Sequence, residues 1–425
     1  MRVRLLNTRE IKRFIQNQVY TINGIYPDDG FDDLSPLSEI MENARIIAVG
    51  EGAHFMKEFW TIRQRLFKYF HQRHGFDIFA MEFGFAEGFT LRKWINGEGS
   101  ENSLESYSKA AAEWGAADTM KWLRQYNERQ GFTINFAGID IPEAAGDLLP
   151  ALLPFYEYVE KVEPALCAEL EEAIAISGKF AGLSAVVSAY KWKELPEREQ
   201  CRLTAILNKV YLRLQSLKPC YINRSSVFDY EAALHELRAA ICADYMIRST
   251  ADSTLALPLD MSVRECFMAD MAMWHLKNSP CGKIFLIAHN NHIQKTPVAY
   301  GEYQSAIPMG YYLKQRLGDD YRCIALTSSD DHIAEMKIDV SLPVGFKVLD
   351  VPLENPVQGS FNAFLEDNGL AKEITFTDLR APSGIDFSAI RSQSAYVTTS
   401  VKEAFDGVIN LPNVSIDKTV FLNKG

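Results

Sequence analysis

Arg45-Ile46-Ile47-Ala48-Val49-Gly50-Glu51-Gly52-Ala53-His54 is the stretch that decides the fold class. An apolar run of strand length ends in an acid, and glycines lead into the next element. Four later runs repeat the pattern. Phe76 to Met81 ends in Glu82, Thr133 to Ile139 in Asp140, Lys283 to Ala288 in His289, and Arg322 to Leu326 in Thr327 and Ser328. Mostly apolar runs without clean alternation are what strands buried on both faces look like. They predict an α/β fold with a largely parallel central sheet flanked by helices. Ligands of such sheets sit beyond the carboxyl ends of the strands, and most of these runs deliver an acid or a histidine there.

Working outward, Phe55, Phe59, Ile62, Leu66 and Phe70 recur at helical spacing and predict a crossover helix packed on the sheet. Arg63 lies beside this stripe, so its guanidinium is expected half-buried. It either pairs with a carboxylate, Glu82 being the natural candidate, or reaches solvent past Phe59. Residues 151–255 read as helices punctuated by Pro154, Pro164, Pro196 and Pro219. The expected organisation is a first part of the α/β core over 1–150, then a helical insertion over 151–255 covering the carboxyl-terminal strand edge. Residues 256–425 supply the second part of the core with a mixed C-terminal segment. A helix from Val263 to Leu276 leads into the His289 strand. After about Val340, short segments predict edge strands plus a helix near Lys402-Glu403-Ala404-Phe405.

The chain has 425 residues, 47% hydrophobic and 23% charged, ample material for a core. Its 44 basic and 55 acidic side chains give a net charge of −11, which argues against a nucleic-acid partner. An acidic surface mildly attracts a cationic small molecule. The N-terminus lacks a signal-peptide pattern, and no apolar run is long enough to span a membrane. Cys167, Cys201, Cys220, Cys242, Cys266, Cys281 and Cys323 are scattered without a CxxC pair. That spacing suits reduced structural thiols in a cytoplasmic protein, expected to be monomeric.

Two constellations carry chemistry. In Glu51-x-x-His54 the carboxylate can orient the imidazole and support its protonated form, as a general base near neutral pH requires. The bland reading is a helix-capping Glu51 with a locally packed His54, and it would win for an isolated motif. In His289-Asn290-Asn291-His292 two histidines can face a cleft as ligands, acids or oxyanion donors. The bland reading leaves one ring, more readily His292, bonded to a loop carbonyl. A zinc, manganese or iron site stays open from residue types alone, although HExxH is absent. Gly-x-Ser-x-Gly, a Walker loop and Gly-x-Gly-x-x-Gly are absent too, which removes the nucleophile elbow and the common phosphate and dinucleotide sites. His71, His74, His235, His275 and His332 lack a paired context and are assigned to structure or surface.

Several segments resemble the erythromycin esterase family. They are Gly50 to Phe59 with Arg63, Phe79 to Gly88, Gly138 to Pro142, Met268-Ala269-Asp270 with Trp274 to Asn278, and Ala288 to Pro297. The resemblance runs from about Phe31 to Gly407 and is strongest to the family's broad-specificity branch, which tends to carry a polar pair where this chain has Gly52-Ala53. It implies hydrolysis of a macrolide lactone by water, macrolide resistance, and no metal or other cofactor. It places the family's functional residues on His54, Glu51, Arg63, Glu82, His289 and His292, with His54 as general base held by Glu51. Substrate contacts are expected from Asp140, Arg264, Met268 and Asn290. Distant relatives that share the Glu-x-x-His start bind haem or act as metal-dependent hydrolases, and these are the alternatives.

Overall fold

Ile46, Ile47, Ala48 and Val49 are all fully buried in the computed structural model, because consecutive side chains enter opposite cores. The structure describes residues 8–417 except 42, 109–110, 112–114, 253, 255 and 280–281. In chain order the strands are β1 (Val19–Thr21), β2 (Ile46–Val49), β3 (Ile78–Gly84), β4 (Asn135–Asp140), β5 (Ile284–Ile287), β6 (Val298–Tyr300) and β7 (Tyr303–Ala306). They continue with β8 (Tyr321–Ser328), β9 (His332–Ile338), β10 (Phe346–Pro352), β11 (Thr375–Asp378), β12 (Ala389–Ser392), β13 (Ala395–Thr398) and β14 (Gly407–Leu411). Eight of them form one sheet in the order β1-β11-β14-β8-β2-β5-β3-β4, while β6-β7, β9-β10 and β12-β13 pair separately.

Neighbours from β14 through β4 are all parallel, and β11 runs antiparallel to both β14 and β1. The predicted parallel sheet is therefore present, with one correction. Gly407 to Leu411, read as part of an edge region, is an interior parallel strand between β8 and β11, and all five of its residues are buried. The Pro- and Gly-rich neighbours of that run hid a strand as apolar as the others.

Ile47 and Val49 pack with Phe59, Ile62, Leu66, Phe67 and Phe70, the inward face of the helix Lys57–His74. That helix starts later than the periodicity indicated, since Phe55 takes a left-handed φ of 66°. It ends at Gly75, whose φ of 70° suits a residue without a side chain. On the opposite face, Ile46 and Ala48 join a core that continues without a break into the helices Leu149–Val162, Cys167–Phe180, Glu197–Ser216 and Val227–Ala251. The helix Ser262–Lys277 belongs to the same core and leads into β5. Among the described residues, no single helix is long and apolar enough to cross a membrane.

Parallel packing puts the carboxyl ends of β2, β5, β3 and β4 side by side. Glu51, His289, Glu82 and Asp140 follow or close those strands, so four distant sequence positions share one edge.

Candidate active site

Gly50 and Gly52 bring the first site residues into place by close approach rather than by turn conformation, since neither has a positive φ. A Cβ on Gly50 would lie 1.8 Å from Asn290 Oδ1, and one on Gly52 would lie 2.9 Å from Leu326 O. Asn290 fills the space beside Gly50. Its Nδ2 donates to Leu326 O (2.8 Å) and its backbone N–H donates to Glu51 O (2.9 Å). Asn290, expected to contact substrate, is instead buried and ties β8 to the β2 and β5 ends.

Glu51 is buried and uses both oxygens. Oε1 accepts from His54 Nδ1 at 2.8 Å, and Oε2 accepts from Arg63 NH1 at 2.8 Å. Arg63 also donates to Gly50 O (2.9 Å) and Ala288 O (2.7 Å) and lies over the Trp60 ring. Its partner is thus Glu51, not Glu82, and it is fully buried, not half-buried. The reason is topological: Gly50 and Ala288 end neighbouring strands, and the guanidinium plugs the seam between them. Burial pushes the Glu51 carboxyl up, but the Arg63 charge and the His54 hydrogen bond outweigh it and hold it below its ordinary range. For His54, burial lowers the pKa, while the Glu51 hydrogen bond and charge raise it by more, so the net shift is upward. The His54 side chain is 36% exposed, and its Nε2 is left free of Glu51.

His289 and His292 have opposite electrostatics. His289 Nδ1 accepts the Asn291 N–H at 3.2 Å, so its proton sits on Nε2, which has no hydrogen-bond partner among the described residues. Burial, followed by the neighbouring His54 charge, lowers its pKa to about 3, so the ring is neutral. Its centroid lies 4.9 Å from that of His54. His292 lies between Glu265 Oε1 (2.5 Å) and Glu82 Oε1 (3.0 Å). Against the effect of burial, these two carboxylates raise it to about 10, which makes it a fixed cation. A loop carbonyl was the simple expectation for His292, and two acids take that place.

Glu82 accepts from Arg264 NH2 (2.8 Å), His292 Nε2 (3.0 Å) and the His289 N–H (3.0 Å). These cations overcome burial and hold it well below the usual carboxylate range. Arg264 also chelates Asp140, with Nε 2.9 Å from Oδ1 and NH2 2.5 Å from Oδ2. Met268, one helical turn beyond Arg264, is fully buried in the core and does not line the cleft as expected. The helix turns that position toward the sheet rather than toward its carboxyl edge.

Sequence reasoning missed Glu265, which anchors His292 and accepts the Met309 N–H at 2.8 Å. Its signal was available, an acid next to Arg264 in the first turn of the helix that leads into the His289 strand. Gln393 was also missed. It accepts the His54 N–H at 2.8 Å from a left-handed residue of the β12-β13 connection, and nothing in the sequence links it to His54.

Four acids (Glu51, Glu82, Asp140, Glu265) thus meet Arg63, Arg264 and His292 in one hydrogen-bonded network. With their lone pairs turned to guanidinium and imidazolium, the carboxylates are poorly placed to ligate a metal. Among the described residues, the group that converges closely enough to hold an ion is Asp330, Asp331 and His332, where the β8-β9 connection enters β9. Beside the network opens a cavity of about 320 Å³. Glu51, His54, Arg63, Glu82, Asp140 and Arg264 line it together with the apolar Trp60, Phe83, Met336 and Phe346. It combines a mostly apolar wall with a few convergent polar groups, as small-molecule sites do.

The erythromycin esterase family model matches residues 71–414. Erythromycin esterase type II of Escherichia coli is 34% identical over 93% of this chain and 96% of its own. Erythromycin esterase type I of Escherichia coli is 29% identical over 92% of this chain and 96% of its own. A solved structure of a point mutant of the erythromycin esterase EreC, in its open conformation, superposes with a TM-score of 0.88 at 29% identity, covering 95% of this chain and 99% of that one.

Proposed function

The chain belongs to the erythromycin esterase family, and from that premise we propose that it hydrolyses the macrocyclic lactone of erythromycin-type macrolides and so confers resistance to them. Membership makes it a hydrolase of ester bonds. The observation that carries the finer reading is the Arg63–Glu51–His54 chain next to a neutral His289.

In this reading Glu51 fixes the Nδ1–H tautomer of His54 and leaves Nε2 to take a proton from water. That water attacks the lactone carbonyl, and the ring opens as the alkoxide leaving group takes up the proton. The partnerless Nε2–H of His289, buried beside His54 just behind the residues that line the cavity, is the donor we assign to the developing oxyanion, and being neutral it does not compete with Glu51 for charge. Arg63 and His292, buried and paired, act as positioning residues, and Glu82 ties His292, Arg264 and the His289 backbone into one frame. Of the expected substrate set, Asp140 and Arg264 both line the cavity, paired with one another. Ser184, Ala185 and Val186 bring residues 151–255 to the same cavity, which supports treating that segment as an insertion that walls the cleft. We further propose a cytoplasmic location, which the six free cysteines among the described residues suit, and a monomeric state.

The test is to incubate purified protein with erythromycin and follow mass. Gain of one water supports the reading, and unchanged drug across a macrolide panel rejects it.

A further inference from the structure

Glu87 lies in the same cavity wall and has no part in the network above. It sits in the first turn of the helix Phe85–Ile95, and its carboxyl folds back over Gly84 at the end of β3. A Cβ on Gly84 would lie 2.2 Å from both Glu87 oxygens, so the glycine makes the space this carboxyl fills. Oε1 accepts the Glu143 N–H at 2.8 Å, while Oε2 is buried without a partner.

The turn it holds is strained. Glu143, Ala144 and Ala145 have φ values of 43°, 43° and 69°, three successive left-handed residues with side chains. Such backbone persists where the surroundings over-determine it, and it clusters at ligand sites. Glu143 and Ala144 line the cavity with Glu87.

Given the esterase reading, on which this rests, we propose that Glu87 is a specificity-determining residue that donates a hydrogen bond from Oε2 to an uncharged oxygen of the substrate. Burial, then the facing Glu143 and Asp140 carboxyls, raise its pKa to about 8, so it is a neutral acid around neutral pH. With Oε1 engaged as acceptor, the proton belongs on Oε2. A buried donor without an acceptor is costly until something satisfies it. A polyoxygenated macrocycle offers hydroxyl, ether and ketone oxygens that can.

The experiment measures kcat and KM for erythromycin against pH in wild type, Glu87→Gln and Glu87→Leu, with melting temperatures. Wild-type KM is expected to rise above pH about 8 as the proton leaves. Glu87→Gln, which keeps an N–H donor, raises KM roughly two- to threefold and abolishes that rise. Glu87→Leu raises KM roughly tenfold with little change in kcat, the size of one lost hydrogen bond. Equal KM increases in both variants, or a wild-type KM flat through pH 8, overturn the proposal. If Glu87→Leu fails to fold, the Glu87→Gln pH series decides alone. Wild-type turnover tests the esterase reading separately, while the protonated-carboxyl infrared band that Glu87→Gln should remove reports on Glu87 whether or not erythromycin is the substrate. Absence of that band overturns the inference.

Discussion

Glu51 holds His54 with one oxygen and Arg63 with the other, each at 2.8 Å, so a single buried carboxylate links the candidate base to the seam between β2 and β5. The base is thereby anchored to the sheet rather than to its own loop.

That link fixes the pH dependence. His54 is raised above 6.5 mainly through Glu51, and a base works only when unprotonated. Activity should therefore climb with pH through an apparent pKa above 6.5. Glu51→Gln weakens both the hydrogen bond and the charge that raise it, so the limb moves to lower pH while kcat falls. A limb that stays in place in Glu51→Gln assigns the titration to another group.

Arg63→Met tests the anchor itself. Removing one partner of a buried ion pair leaves an uncompensated charge and costs about 3–5 kcal/mol. Denaturant unfolding should show a loss of that order together with reduced activity. Unchanged stability would mean that Glu51 is neutral or finds another cation.

His292 gives a stability signature. Its pKa rises on folding from 6.5 to about 10, so the stability it contributes is fully present below pH 6.5 and is lost as pH climbs through about 10. His292→Gln should flatten the alkaline decline in melting temperature. The same decline in the variant places its origin elsewhere.

Chelation should leave the enzyme active. Glu51 is committed to Arg63, and both Glu82 and Asp140 to Arg264. Dialysis against EDTA and a stronger chelator, with metal content measured, is expected to leave kcat unchanged. Loss that one added cation restores would make His54 a ligand instead of a base.

Much of this was legible in the sequence because strand-end residues of a parallel sheet share an edge. The five apolar runs became β2, β3, β4, β5 and β8, and the edge collects Glu51, Glu82, Asp140 and His289. Periodicity found the buried face of the Lys57–His74 helix but could not choose the partner of Arg63. That choice depends on Gly50 and Ala288 meeting across neighbouring strands. It also could not separate His289 from His292. Three residues apart, one is neutral and the other a cation, because burial dominates at His289 while Glu265, on another helix, and Glu82 bond the ring of His292. Met268 and Asn290 were placed by neighbourhood to motifs, which does not fix the direction of a side chain.

The most direct measurement compares wild type with His54→Ala against erythromycin by mass spectrometry, with circular dichroism and melting temperature as controls for the fold. Wild type should convert the drug to a product heavier by one water, and the folded variant should be slower by ~10²–10⁴-fold or more. Near-wild-type conversion by a well-folded His54→Ala protein would contradict His54 as the base and shift that role to His289.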